Sequence, residues 1–238
     1  YPLDVSSLSS SSTGALPETD DYSKIDGDLQ KIVDLMNLAV KPLIIVGPTV
    51  LRQNAGLHIV DLAERLQSAI MVTSKARGVI SEDHPLYAGI ISGVYKKGTL
   101  EERIVSKSDT ILAIGLDRME LLSPWEHKQL LLTVDSVSVP SSETVGNPLV
   151  SVTGPLKNVL SSVATGVKNR QTWTIEEIRE FWTQAMYELG AYQNHLNAAS
   201  VLVRARKIAP KNTIVTTEAG VYGRVNLYAW QVYESKTY

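Results

Sequence analysis

The chain has 238 residues, with 23 Lys and Arg, 25 Asp and Glu, four His and no Cys, and its formal net charge is −2. The lack of cysteine excludes disulfides, thiolate metal sites and a cysteine nucleophile, and the balanced charge argues against a nucleic-acid partner. The histidines do not have the spacing of a metal site. No run approaches the ~20 apolar residues of a membrane helix, and the first residues do not resemble a signal peptide. We therefore expect no membrane partner and a cytoplasmic location.

The first 27 residues have the composition of a linker. Residues 6–13 contain six serines, and Gly14, Pro17 and three aspartates follow before Asp28. Such a segment is too polar to pack and is rich in turn formers. We expect a folded domain before it, of which Tyr1–Val5 are the last residues.

Residues 28–167 alternate helical patterns with short apolar runs. Helices are predicted from about Leu29, after a cap at Asn54, after a capping box at Thr99, and after Pro155. The runs predict buried strands, namely Pro42–Val46, Ala69–Thr73, Thr110–Ile114, Leu130–Val134 and Leu149–Val152. The stretch 74–98 is predicted to be irregular. This alternation predicts an α/β, Rossmann-like, mainly parallel sheet flanked by helices.

The pattern changes after Val167. Residues 168–210 are predicted to be a helical connector, with a capping box at Thr174 and a second helix over Asn194–Ile208. Asn212–Thr217 then predicts a strand, and a helix follows it from Gly220. We interpret residues 211–238 as the start of a further α/β domain.

Several segments, taken in order, resemble one protein family. The chain is similar to thiamine-diphosphate-dependent enzymes of the acetolactate synthase and 2-oxoacid decarboxylase group. Four segments resemble the family's central domain, namely Pro42–Pro48, Val72–Gly78, Glu82–Gly89 and Ser108–Gly115. Tyr1–Val5 resembles the end of the first domain, and Lys211–Gly220 resembles the opening of the third.

The resemblance implies a fragment of a decarboxylase or carboligase that acts on a small 2-oxoacid. It also implies thiamine diphosphate and Mg²⁺ in the full-length parent, and a homo-oligomer. The family's catalytic Glu and its metal-binding Gly-Asp-Gly…Asn motif lie in the other two domains. We therefore nominate no catalytic or metal-binding residue here and expect the fragment alone to be inactive. Asp26-Gly27-Asp28 is rejected as a metal motif because no strand precedes it.

Glycines follow several predicted strands, where ligands of open α/β sheets bind. They allow the backbone to approach a phosphate or a ring, and they are Gly47, Gly78, Gly93 and Gly115. Some family members bind FAD or an adenine nucleotide at this surface. The other interpretation is that these glycines only end strands and shape turns.

Three charged residues complete the candidate site. Arg77 and Arg118 could neutralise a pyrophosphate, and Asp135, at the end of a strand, could accept hydrogen bonds from a ribose. Alternatively, the arginines are solvated and Asp135 forms a turn. In the family, the loop matching Thr217–Tyr222 contacts the diphosphate of thiamine diphosphate, so Glu218 and Gly220 are added as cofactor-binding candidates.

Two other functions stay open at this point. The chain could be a stand-alone module that binds FAD or an adenine nucleotide, or a structural domain whose crevice has lost its ligand. His84, before Pro85, is expected to hold its loop by a structural hydrogen bond.

Overall fold

Six short strands form one sheet in which each neighbouring pair is parallel. The computed structural model of the protein describes residues 22–94, 96–122, 128–138, 146–217 and 220–238. The strands are β1 (Pro42–Val46), β2 (Ala69–Thr73), β3 (Tyr87–Ile91), β4 (Thr110–Ile114), β5 (Leu130–Asp135) and β6 (Val150–Thr153). All residues of β1 to β4 are buried, as in parallel sheets covered on both faces.

Eight helices accompany the sheet in the described residues. They are α1 (Tyr22–Leu38), α2 (Pro48–Arg52), α3 (Gly56–Leu66), α4 (Leu100–Lys107), α5 (Leu156–Gly166), α6 (Ile175–Glu188), α7 (Ala198–Ile208) and α8 (Val221–Ala229). Helix α5 packs on α1 and α3, α4 packs on α6, and α7 packs on α8. The sequence therefore builds the predicted α/β sandwich.

The strand order is β3-β2-β1-β4-β5-β6. The chain runs outward from β1 to β3, returns to β4 beside β1, and continues outward to β6. The direction of winding reverses between β1 and β4, and in open α/β sheets ligands bind at this switch point. The fold thus places Gly47, which follows β1, and Gly115, which follows β4, at the position where a ligand is expected.

The five strands predicted within residues 28–167 and the caps predicted at Thr99 and Thr174 agree closely with the structure. Three strands have the predicted limits, the fourth extends to Asp135, and the last begins one residue later than predicted. The side chain of Thr99 accepts a hydrogen bond from the Glu102 amide (3.3 Å), and that of Thr174 accepts one from the Glu177 amide (3.1 Å). Thr99 and Thr174 therefore cap α4 and α6, as their sequence signatures predict.

Four local predictions are wrong, and the first three concern α1, β3 and the start of α3. Residues 22–27 of the predicted linker belong to α1. Strand β3 lies inside the stretch predicted to be irregular, where Gly89, with a positive φ of 111°, interrupts the apolar pattern. Asn54 caps no helix, since α3 begins after Ala55, which has no side-chain cap bond. Residues 1–21 lie outside the described residues.

The predicted strand over residues 212–217 is absent. The described part of this segment has no regular structure, although the amide of Val215 donates to the carbonyl of Thr237 (2.9 Å). A strand exists through its ladder of backbone hydrogen bonds, and within the described residues no strand of the sheet lies beside this segment. Strong β propensity alone does not replace that partner.

Candidate functional site

Gly47 and Gly115 bring the loops after β1 and β4 into direct backbone contact. The Gly47 amide donates to the carbonyl of Ile114 (2.9 Å), and the Thr49 amide donates to that of Gly115 (3.3 Å). A Cβ on Gly47 would overlap the Gly115 carbonyl oxygen and lie 2.5 Å from the Leu116 Cα. Packing of one loop against the other therefore already accounts for both glycines at the switch point.

Arg77, which follows β2, forms a buried bidentate ion pair with Glu82. The distances are 2.7 Å from Nε to Oε1 and 3.0 Å from Nη2 to Oε2, and each side chain is only 1% exposed. Burial by itself would lower the pKa of Arg77, but the Glu82 carboxylate raises it above its ordinary value. Among the guanidinium nitrogens, Nη1 is buried and has no partner in the described residues. Most of the hydrogen-bonding capacity of Arg77 is thus used within the protein.

The last residues of the chain cover this ion pair. The Glu82 amide donates a hydrogen bond to the Val232 carbonyl (2.9 Å), and the Val232 amide donates one to the Glu82 carboxylate (3.0 Å). Arg77 also donates to the carbonyl of Trp230, and its Cζ lies 4.0 Å from the ring centroid of Tyr238. The segment Trp230–Tyr238 is therefore fixed on the loop between β2 and β3.

Gly78 lies under the same segment. It has a positive φ of 76°, and a Cβ there would overlap the Glu234 carbonyl oxygen and lie 2.6 Å from its carbon. Arg77 and Gly78 are both candidates for contact with a phosphate, but in the structure they face the chain's own C-terminal segment.

Gly93 is held by Glu101, a residue that sequence reasoning missed. The Glu101 carboxylate accepts bonds from the amides of Ser92 (3.0 Å) and Gly93 (2.9 Å) and from the Ser92 hydroxyl (2.9 Å). Burial raises the pKa of Glu101, although these donors act in the opposite direction. Glutamate is common in the first turn of helices, where it stabilises the helix end. The sequence therefore gave no sign that Glu101 binds the Ser92–Gly93 backbone.

Arg118 follows β4 and Asp135 is the last residue of β5, so both lie at the carboxyl-terminal edge of the sheet. Arg118 opens a short 3-10 turn after β4 and is half-buried. Glu120, in the same turn, ties this loop to the end of β2, since it accepts from the Thr73 hydroxyl (2.6 Å) and the Lys75 amide (2.7 Å). Asp135 accepts from the Ser136 amide (2.6 Å), and burial raises its pKa. Asp135 therefore forms a local turn contact, while its half-buried carboxylate stays at the edge.

The remaining candidates lie at the start of α8. Gly220 is the residue that precedes this helix, whereas Glu218 lies outside the described residues. His84 holds its loop as expected, because its Nδ1 accepts from the Leu86 amide (3.2 Å) and its Nε2 lies 3.3 Å from a Glu64 oxygen. The structure thus brings Arg77 and Gly78 together, and Gly47 and Gly115 together, as two separately packed pairs.

The described residues contain neither a cluster of metal ligands nor a membrane-spanning helix. Within them, no three His, Cys, Asp or Glu side chains gather in a way that could hold a metal ion. No helix in the described ranges is long and apolar enough to cross a membrane.

Residues 29–163 match a family model described as "Thiamine pyrophosphate enzyme, central domain". Among curated proteins, the chain is 26% identical over 207 residues to pyruvate decarboxylase 2 of Oryza sativa subsp. japonica, a match that covers 86% of this chain and 34% of that protein. It is 27% identical over 142 residues to an acetolactate synthase of Arthrospira platensis, covering 57% of this chain and 24% of that protein. The chain thus spans about a third or less of these relatives.

A solved structure has the same fold. The X-ray structure of a protein from Mycobacterium smegmatis, described as "a putative thiamin diphosphate-dependent enzyme", superposes with a TM-score of 0.65 at 20% identity. The match covers 89% of this chain and 40% of that one. At this identity the likeness concerns the fold.

Proposed function

Because this chain belongs to the thiamine pyrophosphate enzymes, whose central domain it contains at residues 29–163, we propose that it is the central part of a 2-oxoacid decarboxylase or carboligase. In this proposal the chain itself carries no catalytic residue. The similarity to a pyruvate decarboxylase and an acetolactate synthase supports this class of reaction. Both names point to a small 2-oxoacid as the substrate of the natural protein.

The described residues of the central domain do not form a site for thiamine diphosphate or Mg²⁺. Within them no metal-ligand cluster occurs, Gly47 and Gly115 pack on each other, and Arg77 is paired with Glu82. When bound, thiamine diphosphate supplies the electron sink for loss of CO₂ from a 2-oxoacid. We propose that it and Mg²⁺ are held by parts of the natural protein outside these residues, and we derive no step of the reaction through them here.

The contribution of this chain is to fix the geometry of neighbouring segments. The contact between Glu82 and Val232 supports this role, since it joins the central sheet to the segment that resembles the opening of the diphosphate-binding domain. We propose a tail and linker up to residue 27, of which residues 22–27 already belong to α1, followed by a central domain (28–167), a helical connector (168–210) and the start of that further domain (211–238). A rigid junction keeps the following domain at a constant orientation.

We further propose that the natural protein is a homo-oligomer, as the resemblance to this enzyme group implies, and that it is cytoplasmic. An FAD or adenine-nucleotide site at Gly47, Arg77, Gly78, Gly93, Gly115, Arg118 and Asp135 stays a prediction, and the internal partners described above do not favour it. Glu218, which lies outside the described residues, and Gly220 likewise stay predicted contacts of the cofactor's diphosphate.

The test compares this chain with the natural gene product that contains it. Each is supplied with thiamine diphosphate and MgCl₂, and CO₂ release from pyruvate and 2-oxobutanoate is measured. We expect cofactor-dependent release by the gene product and none by the 238-residue chain. A gene product without thiamine-dependent activity on any 2-oxoacid overturns the proposed reaction class. Cofactor-dependent release by the chain alone overturns its non-catalytic role.

A further inference from the structure

A depression of about 430 Å³ lies beside the edge strand β3, between the start of α4, helix α6 and helix α8. Its size is within the range of roughly 300–1,000 Å³ typical of small-molecule sites. It is distinct from the carboxyl ends of β1 and β4, and nothing in the proposed function uses it.

The floor of the depression is apolar. Trp182, Met186 and Leu189 lie on one face of the α6 region at spacings of four and three residues, and Leu100 of α4 also lines the depression. Met186 and Leu100 are buried, whereas Trp182 and Leu189 are only partly covered. A hydrocarbon group placed here would remove apolar surface from water, which favours binding.

The rim of the depression is positively charged. Lys96 and Lys97 are exposed, and within the described ranges neither forms an ion pair. The acidic residue of the rim, Glu188, is neutralised by Arg103, whose Nη2 lies 2.7 Å from its carboxylate. The charge left at the rim therefore complements an anion.

The segment that carries the two lysines is held in a defined turn. The amide and the hydroxyl of Thr99 both donate to the carbonyl of Lys96, at 3.1 and 2.7 Å, and Arg103 Nε donates to that of Gly98 (2.9 Å). Gly98 has a positive φ of 89°, which glycine adopts without strain. The backbone of Lys96 and Lys97 is thus ordered before a ligand binds, which reduces the entropy lost on binding.

We propose that this depression binds an amphipathic monocarboxylate. The aliphatic chain lies against Trp182 and Leu189, and the carboxylate lies between Lys96 and Lys97. Neither the lysines nor the apolar floor is enough by itself to bind this ligand selectively. Two exposed lysines alone bind anions weakly, and an apolar floor alone does not distinguish a charged ligand from a neutral one. This site goes beyond the proposed function and does not depend on it.

The probe is octanoate, titrated into the 238-residue chain by isothermal titration calorimetry, with tryptophan fluorescence as a second readout because Trp182 lines the site. The double variant Lys96→Glu/Lys97→Glu reverses the rim charge. Its matched control, Lys157→Glu/Lys168→Glu, makes the same change in net charge at two exposed lysines outside the depression. Circular dichroism verifies that each variant is folded. If the reversal variant unfolds, Lys96→Ala/Lys97→Ala replaces it.

We expect saturable octanoate binding that weakens about ten-fold or more in the rim variant, the order of magnitude for loss of charged contacts. The control variant should bind within about two-fold of the wild type, and octanol, which lacks the charge, should bind at least about ten-fold more weakly than octanoate. Absence of saturable binding at millimolar octanoate overturns the proposal. Equal affinities for octanoate and octanol, or for wild type and rim variant, do so as well.

Discussion

Glu82 binds Arg77 through both carboxylate oxygens, and one of these oxygens also accepts the amide of Val232, 150 residues further along the chain. A single buried carboxylate therefore balances the charge of Arg77 in the loop after β2 and also anchors the C-terminal segment. Loss of this group would leave a buried guanidinium uncompensated and free the segment at the same time.

Glu82→Gln tests that anchor. The substitution preserves the shape of the side chain but removes the charge that balances Arg77, and breaking a buried pair in this way costs about 3–5 kcal/mol of unfolding free energy. Urea unfolding measures the loss. Asp83→Asn is the matched control, because its pair with Lys211 is largely exposed and is worth at most about 1 kcal/mol. Similar losses in the two variants would contradict the anchoring role of Glu82.

Gly47→Ala tests the contact at the switch point. The added methyl group would overlap the Gly115 backbone, which cannot rotate away as a side chain could. We expect a loss of about 3 kcal/mol, the upper part of the range for overpacked sites. In Gly27→Ala, the control, the new Cβ meets nothing within 4 Å in α1, and a gain of about 0.5–1 kcal/mol is expected. A Gly47→Ala protein as stable as the wild type in thermal unfolding would show that the loops are looser than described.

Glu177 makes a pH-dependent contribution to stability. Burial alone would raise its pKa, but Lys41 and Lys107 (3.2 Å) lower the pKa below its ordinary value of about 4.5. Since the pKa is lower in the folded state, the stabilisation is present above the unfolded pKa and is lost as the pH falls through the folded pKa. Glu177→Gln should cost about 1 kcal/mol at pH 7 and progressively less at acidic pH.

Glu176→Gln is the matched control for that measurement. Glu176 is in the same first turn of α6 and is exposed, so its removal has the same effect on the helix dipole without the two lysine contacts. Chemical unfolding of both variants at pH 7 and at pH 3 gives the comparison. Equal costs at pH 7, or a cost of Glu177→Gln that grows on acidification, would refute the role of the lysines.

Nucleotide binding at the strand ends is expected to be undetectable. FAD, ADP and coenzyme A should not raise the melting temperature of the chain, because the backbones of Gly47 and Gly115 already meet and Arg77 is neutralised by Glu82. Differential scanning fluorimetry makes the measurement. If one of them does stabilise the chain, Arg77→Ala should weaken its binding by about 1–3 kcal/mol, provided that Arg77 holds the phosphates.

Five of the six strands and the caps at Thr99 and Thr174 were predictable because their signals are local. A strand buried on both faces is a continuous apolar run, as in Pro42–Val46, and a Thr three residues before a Glu caps a helix, as Thr99 and Thr174 do. Strand β3 escaped prediction because its central residue is Gly89, a residue more typical of turns. The segment 212–217 was mispredicted for the opposite reason, since its β propensity is high but no neighbouring strand is present among the described residues.

The amino-acid sequence by itself determined the class of fold, the limits of three strands, two more to within one residue, and the family, all of which follow from short-range patterns and their order. Tertiary structure decided what the singled-out residues contact. Gly47 and Gly115 are 68 positions apart, and Glu82 and Val232 are 150 positions apart. No periodicity reports such pairs, because they arise only when the crossover from β3 to β4 and the return of the C-terminal segment bring distant loops together. Arg77, which from the sequence alone was a candidate to bind a phosphate, is therefore one half of a buried ion pair in the folded chain.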